Sequence, residues 1–175
     1  MYLGWRHPRI SGKEYDDMVE RVVLAIQRKL PQAYLHWEDF GRENARRNLE
    51  RYHQQMCTFN DDMQGTGAVT LVALLSAITR TKVPLTEQRI VIVGAGTAGT
   101  GIADQLCAAM RREGLSQQEA LSRFYLVGRH GLLHQAMPEL TAFQKPYARS
   151  DLAETGTNLS LHEVVKRFKP SVLIG

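Results

Sequence analysis

The sequence predicts an α/β protein with a doubly wound, mostly parallel sheet. Three observations carry this. Helical and β-branched stretches alternate along the chain. The run RIVIVGAG (89–96) is apolar and β-branched and breaks into glycines, as a central parallel strand does. A second strand-like run, RFYLVG (123–128), follows after an intervening helical stretch.

Each element has its own signal. Ser11-Gly12-Lys13-Glu14 reads as a capping box. Behind it Tyr15, Met18, Val19, Val22, Val23, Ile26 and Leu30 recur at helical spacing, so a helix is expected over 12–30, ended by Pro31. AYLHW (33–37) is a short strand and 44–54 a polar helix. A helix of mostly buried character is expected from Gly65 to Thr79. The glycines after the first long strand open a helix to about Arg112, and Ser116-x-x-Glu119 caps another. The polar stretch 131–158, with Pro138 and Pro146, reads as loop, and a helix near 161–168 leads to PSVLIG, the start of a buried strand. That strand stops at Ile174-Gly175, so the sheet is expected to be truncated at its C-terminal end, the chain being a piece of a longer protein.

Composition sets outer bounds. The chain has 175 residues, 43% hydrophobic and 23% charged, as in a soluble domain with a real core. It has no run of 18 apolar residues and no charged-then-apolar leader, so no membrane span or secretory signal is expected. Cys57 and Cys107 form neither a metal-type pair nor a disulfide framework, which fits the cytoplasm. Net charge is +4, but the basic residues are scattered without interleaved aromatics. Nucleic acid is therefore not expected, and the charge reads as a solvated surface that also favours anionic ligands.

Two constellations could carry chemistry. Gly94-Ala95-Gly96-Thr97-Ala98-Gly99 is a G-x-G-x-x-G between a strand and a helix, the context that supports a Rossmann-like dinucleotide site. Gly94 permits the tight turn, Gly96 lets a pyrophosphate approach, and Gly99 lets the helix pack closely. The helix N-terminus then faces the phosphates. The bland alternative is a plain strand–turn–helix connection. The second constellation is HWEDF with FNDD: Glu38-Asp39 end a strand, and Asp61-Asp62 precede a helix. Four carboxylates gathered at one sheet edge would repel unless a cation sits among them, and oxygen-only ligands favour Mg²⁺ or Mn²⁺. Separate solvated carboxylates, or an Asp capping the 65–79 helix, remain open on spacing alone. His36 reads as packed or hydrogen-bonded; His7, His53, His130, His134 and His162 show no ligand spacing. Cys57 reads as a small buried hydrophobe, and Met56 and Met63 as core or loop.

YLGWRHPRISGKEYDD, HWEDFGRENARRNLERY, CTFNDDMQGTGAVT and GAGTAGTGIADQL together resemble the malic enzymes, including their malolactic relatives. FYLVGRHGLL and LTAFQKPYA look closest to the malolactic branch. The resemblance spans Tyr2 to Gly175 and implies L-malate as substrate, a divalent Mn²⁺ or Mg²⁺, NAD or NADP, and a homo-oligomeric full-length protein. It implies Glu38, Asp39 and Asp62 as metal ligands, and Asp61 as the aspartate that interacts with the catalytic lysine. Residues 1–80 would then carry the metal and substrate site, packed on the sheet, and 81–175 the first part of the dinucleotide-binding domain. The expected reaction is oxidative decarboxylation to pyruvate and CO₂. A malolactic reaction giving L-lactate and a non-catalytic dinucleotide-binding module are the alternatives.

Cofactor choice is divided. Relatives usually carry Asp at the end of the second fingerprint strand, where this chain has Gly128 followed by Arg129. Arg129 could pair with a 2′-phosphate, so the local reading tolerates NADP while the resemblance implies NAD. The family's acid tyrosine and base lysine lie upstream of the matching segment, and no residue here matches them. Since each such group contributes about 10² to 10⁴-fold, residues 1–175 alone are expected not to turn over malate. An NADH-absorbance assay against the full-length protein checks this, and a comparable rate would overturn it.

Overall fold

The computed structural model describes residues 7–152 and 158–175. In the main sheet β3 (Ile90–Val93) lies between β4 (Phe124–Gly128) and β6 (Val172–Ile174), all three parallel. The short β5 (Gly131–Leu132) pairs antiparallel with β4 at the edge. A strand side chain points to alternate faces, and both faces are covered. Ile90, Ile92, Phe124 and Leu126 share one core with Ile102, Leu106 and Met110 of α4 (Thr97–Arg112). Val91, Tyr125 and Val127 share another with Val164 of α6 (Leu161–Phe168). The doubly wound, mostly parallel sheet is therefore as expected. The short α5 (Gln117–Ser122) leads into β4, and its Ser116–Glu119 capping box forms. An equivalent box, Ser160–Glu163, starts α6.

A smaller unit precedes it. The parallel strands β1 (Leu35–Trp37) and β2 (Thr58–Asn60) are joined through α2 (Arg42–Tyr52). α1 (Gly12–Lys29) buries Val19 and Val23 against Trp37 and Tyr52, whose rings stack at 5.8 Å. After β2 the chain makes one π-helical turn, Asp61–Gly65, and continues as α3 (Thr66–Thr81).

α3 and the π turn lie against α4 through glycines. A Cβ at Gly101 of α4 would stand 2.7 Å from the Met63 carbonyl oxygen and 2.8 Å from its Cα. A Cβ at Gly67 of α3 would meet Gln105 Cγ at 2.6 Å. These backbones touch because neither residue has a side chain.

Several expectations are corrected. Ser11 precedes α1 but makes no side-chain cap bond, because Gly12 enters at φ +58°. α3 is apolar yet largely exposed, with Val69 71% and Val72 63% accessible, since only its Gly67–Leu74 side meets α4 and the core. β6 is a partly exposed edge strand, Leu173 being 58% accessible. The 131–158 stretch is not all loop: β5, a 3₁₀ turn at Lys145–Tyr147 and a His134–Arg149 bridge fall within it, while its residues 153–157 lie outside the described ones, as do 1–6. Cys57 is exposed, because it lies just outside the short β1–β2 pairing.

Helix propensity favours Ala over Gly by about 1 kcal/mol. At Gly101 the added methyl would press on fixed backbone, so Gly101→Ala should instead destabilise the protein by about 1–3 kcal/mol. Thermal unfolding checks the sign, and an equal or raised melting temperature would show that α4 does not bear on the turn.

Candidate active site

Parallel pairing sets Trp37 beside Asn60. The residues after each strand therefore leave the sheet at the same edge, Glu38-Asp39 from β1 and Asp61-Asp62 from β2. Asp39 turns back at φ +57°, a left-handed conformation that Asp tolerates better than most residues. Its N–H donates to Asp62 Oδ2 at 3.1 Å.

Asn60, fully buried, organises the turn. Its Oδ1 accepts the Met63 N–H at 3.0 Å, and its own N–H donates to Gln64 Oε1 at 2.9 Å. The cap is thus Asn60, not an aspartate, which leaves Asp61 and Asp62 free for other partners. The Asp61 carbonyl accepts the Thr66 N–H, the i→i+5 bond of a π turn. The Asp61 carboxylate lies across Gly65, where a Cβ would come within 2.0 Å of Oδ1.

The four acidic residues resolve into two overlapping groups. Ligand oxygens of Glu38, Asp39 and Asp62 all lie within 4.8 Å of one another. Asp61 belongs instead with His36 and Glu38, within the same limit, and His36 Nε2 is 3.2 Å from Glu38 Oε2. Among the described residues no Lys or Arg pairs with any of the four carboxylates. Three carboxylates converging without a basic partner are a donor set that fits a hard divalent cation.

The glycine loop follows β3. Gly94 sits at φ +105° and its N–H donates to the Val127 carbonyl at 2.9 Å. A Cβ at Gly99 would stand 1.8 Å from the Gly94 oxygen, so only glycine closes this turn. At Gly96 a Cβ would meet nothing within 4 Å, which leaves open space in front of the helix. The first backbone bond at this end of α4 runs from the Thr100 N–H to the Gly96 carbonyl at 3.0 Å. The N–H groups of Thr97, Ala98 and Gly99 precede it and face the opening. An open Gly96 before a helix N-terminus fits a pyrophosphate.

Gly128 ends β4 beside this loop, its position for a Cβ 3.8 Å from that of Ala95. Arg129, exposed, begins the turn to β5. Some partners carried no sequence signal. Gln144, buried in the expected loop, donates from Nε2 to the Ala95 carbonyl at 2.7 Å. Asp104 on α4 pairs with Arg46 of α2 and accepts the Tyr147 hydroxyl at 2.7 Å. Burial, with the Asp104 carboxylate next, holds the Tyr147 phenol far above its ordinary range.

Comparison with known proteins bears on family and fold. Residues 63–175 match the profile described as malic enzyme, NAD binding domain, and 1–53 that of malic enzyme, N-terminal domain. The whole chain is 50% identical to NAD-dependent malic enzyme 3 of Bacillus subtilis and 46% identical to NAD-dependent malic enzyme of Aliivibrio fischeri. It spans about a third of these relatives, 32% of each. The crystal structure of Entamoeba histolytica malic enzyme superposes on 93% of this chain and 33% of its own, with TM-score 0.67 and 23% identity, and shares the fold. The NAD-dependent malic enzyme of Thermotoga maritima does so over 88% and 36%, with TM-score 0.61 and 23% identity. The chain belongs to the malic enzyme family.

Proposed function

We propose that the chain is part of a divalent-metal- and NAD-dependent malic enzyme that oxidatively decarboxylates L-malate to pyruvate and CO₂. The observation that carries this is the convergence of Glu38, Asp39 and Asp62 oxygens within 4.8 Å, at a turn packed on the helix that opens the glycine loop. The two relatives compared above are both named NAD-dependent malic enzymes, which favours pyruvate over lactate. Residues 1–80 form the metal and substrate segment, and 81–175 belong to the dinucleotide-binding domain. The free thiols favour a cytoplasmic site of action, and the exposed Val69 and Val72 suit a homo-oligomeric full-length protein.

Glu38, Asp39 and Asp62 hold Mn²⁺ or Mg²⁺, and Gly94, Ala95, Gly96, Thr97, Ala98 and Gly99 hold the cofactor pyrophosphate. The cofactor would supply a hydride acceptor for C2 of malate, and the cation a Lewis acid for the C2 oxygen. The protein's own contribution is positional. The π turn holds Asp62 toward Asp39, while Gly65 leaves room for the Asp61 carboxylate, which orients the lysine base that the family supplies from another segment. Arg129 lies beside the expected ribose end of the cofactor.

Two experiments test the reading. In calorimetric titration Asp62→Ala should weaken Mn²⁺ binding by at least about tenfold, or 1.4 kcal/mol, and unchanged binding would overturn the ligand set. For the cofactor, an acid at the end of β4 bonds the ribose hydroxyls and repels a 2′-phosphate. The nearest atom to a Cβ at Gly128 is 3.6 Å away, so Gly128→Asp is sterically admissible. In the full-length enzyme it should raise the NAD-over-NADP ratio of kcat/KM by at least about tenfold. An unchanged ratio would mean that position 128 does not face the ribose.

A further inference from the structure

We infer that His36, Glu38 and Asp61 form a second, alternative cation site, suited to a borderline-soft divalent metal such as Zn²⁺ and exclusive of the Mn²⁺ or Mg²⁺ site proposed above. His36 Nε2 and Glu38 Oε2 are 3.2 Å apart, and ligand atoms of His36, Glu38 and Asp61 all lie within 4.8 Å of one another. A tetrahedral zinc with bonds of about 2.0–2.1 Å has ligand–ligand edges of about 3.3–3.4 Å. The His36–Glu38 pair therefore already has the spacing of one such edge, and Asp61 lies near enough for its side chain to turn in as a third protein ligand.

The groups are held in place before any ion arrives. The His36 imidazole meets the Phe59 ring edge-on at 5.7 Å and lies 6.1 Å from the Tyr34 ring. Asp61 is set over Gly65 by the π turn. The His36 and Glu38 side chains are nonetheless about half accessible, 46% and 51%, so a hydrated ion can reach them. Donor chemistry separates the two groups of three. The Glu38, Asp39 and Asp62 set offers oxygen alone, whereas an imidazole nitrogen shifts preference toward zinc. Glu38 belongs to both sets, and two dications drawn to one carboxylate at this spacing repel each other, so occupation of one site disfavours the other. Zinc in the second site would also occupy Asp61. This is a built-in route to inhibition by zinc-like ions.

The test titrates the folded protein, its His36→Gln variant and its Asp62→Ala variant with Zn²⁺ and with Mn²⁺ by calorimetry. His36 is exposed and circular dichroism verifies that the variant is folded. His36→Gln should weaken Zn²⁺ binding by at least about tenfold while Mn²⁺ affinity stays within about twofold. Zn²⁺ preloading should lower Mn²⁺ uptake in the parent but not in His36→Gln. Asp62→Ala should retain Zn²⁺ binding. Unchanged Zn²⁺ affinity in His36→Gln, or equal loss of both ions, would overturn the second site. Unchanged Mn²⁺ affinity in Asp62→Ala would instead overturn only the oxygen-ligand reading, since Asp62 is not among the three zinc ligands.

Discussion

Where α4 meets the Met63 turn, two backbones touch with no side chain between them, and the relative placement of both functional loops follows from that contact. α4 begins at the glycine loop, where the Gly94 oxygen leaves no space for a side chain at Gly99. Only four residues after the helix N-cap at Gly96 comes Thr100, bonded back to the Gly96 carbonyl, and then Gly101 against Met63. The same rigid helix thus carries the phosphate-facing N–H groups and the surface on which the carboxylate turn rests. A close-packed interior transmits displacement rather than absorbing it. A shift of the turn is therefore felt at the loop within about one helical turn.

Polar contacts on an adjoining flank of α4 reinforce this arrangement. Asp104 accepts from Arg46 and from Tyr147, linking α2, α4 and the 3₁₀ turn, and the Arg46 guanidinium lies 5.4 Å from the Phe143 ring. Burial, and after it the Asp104 carboxylate, disfavour the Tyr147 anion and hold the phenol above its ordinary range. Gln144, three residues earlier, satisfies the Ala95 carbonyl inside the glycine loop. A segment whose regular structure here is a single 3₁₀ turn thus buttresses both the loop and the helix behind it.

What could be read from residue order was what repeats or follows one rule. The β-branched 89–93 run, the glycine fingerprint and the Ser116 cap each express a local preference, and each forms. Glu38, Asp39, Asp61 and Asp62 were recognisable as a group, because strand ends in parallel sheets collect at one edge. Their division was not, since it depends on the left-handed turn at Asp39 and on the Asn60 cap. The strand Thr58–Asn60 is too short to show alternation. Gln144 and Tyr147 lie in a stretch whose burial comes from tertiary packing alone. The apolar character of α3 was legible, but its exposure depends on what lies beside it.

The π turn has a consequence for angular phase. An α-helix advances about 100° per residue. A turn closed by an i→i+5 bond holds one residue more than a normal turn, so the apolar stripe of α3 and the carboxylates before it are offset by about that angle. Each can then face its own surroundings: Leu74 the core, Asp61 and Asp62 the sheet edge. Removal of Met63 or Gln64 would bring the two into register and rotate the acids away from β1, with all four carboxylates still present in the chain.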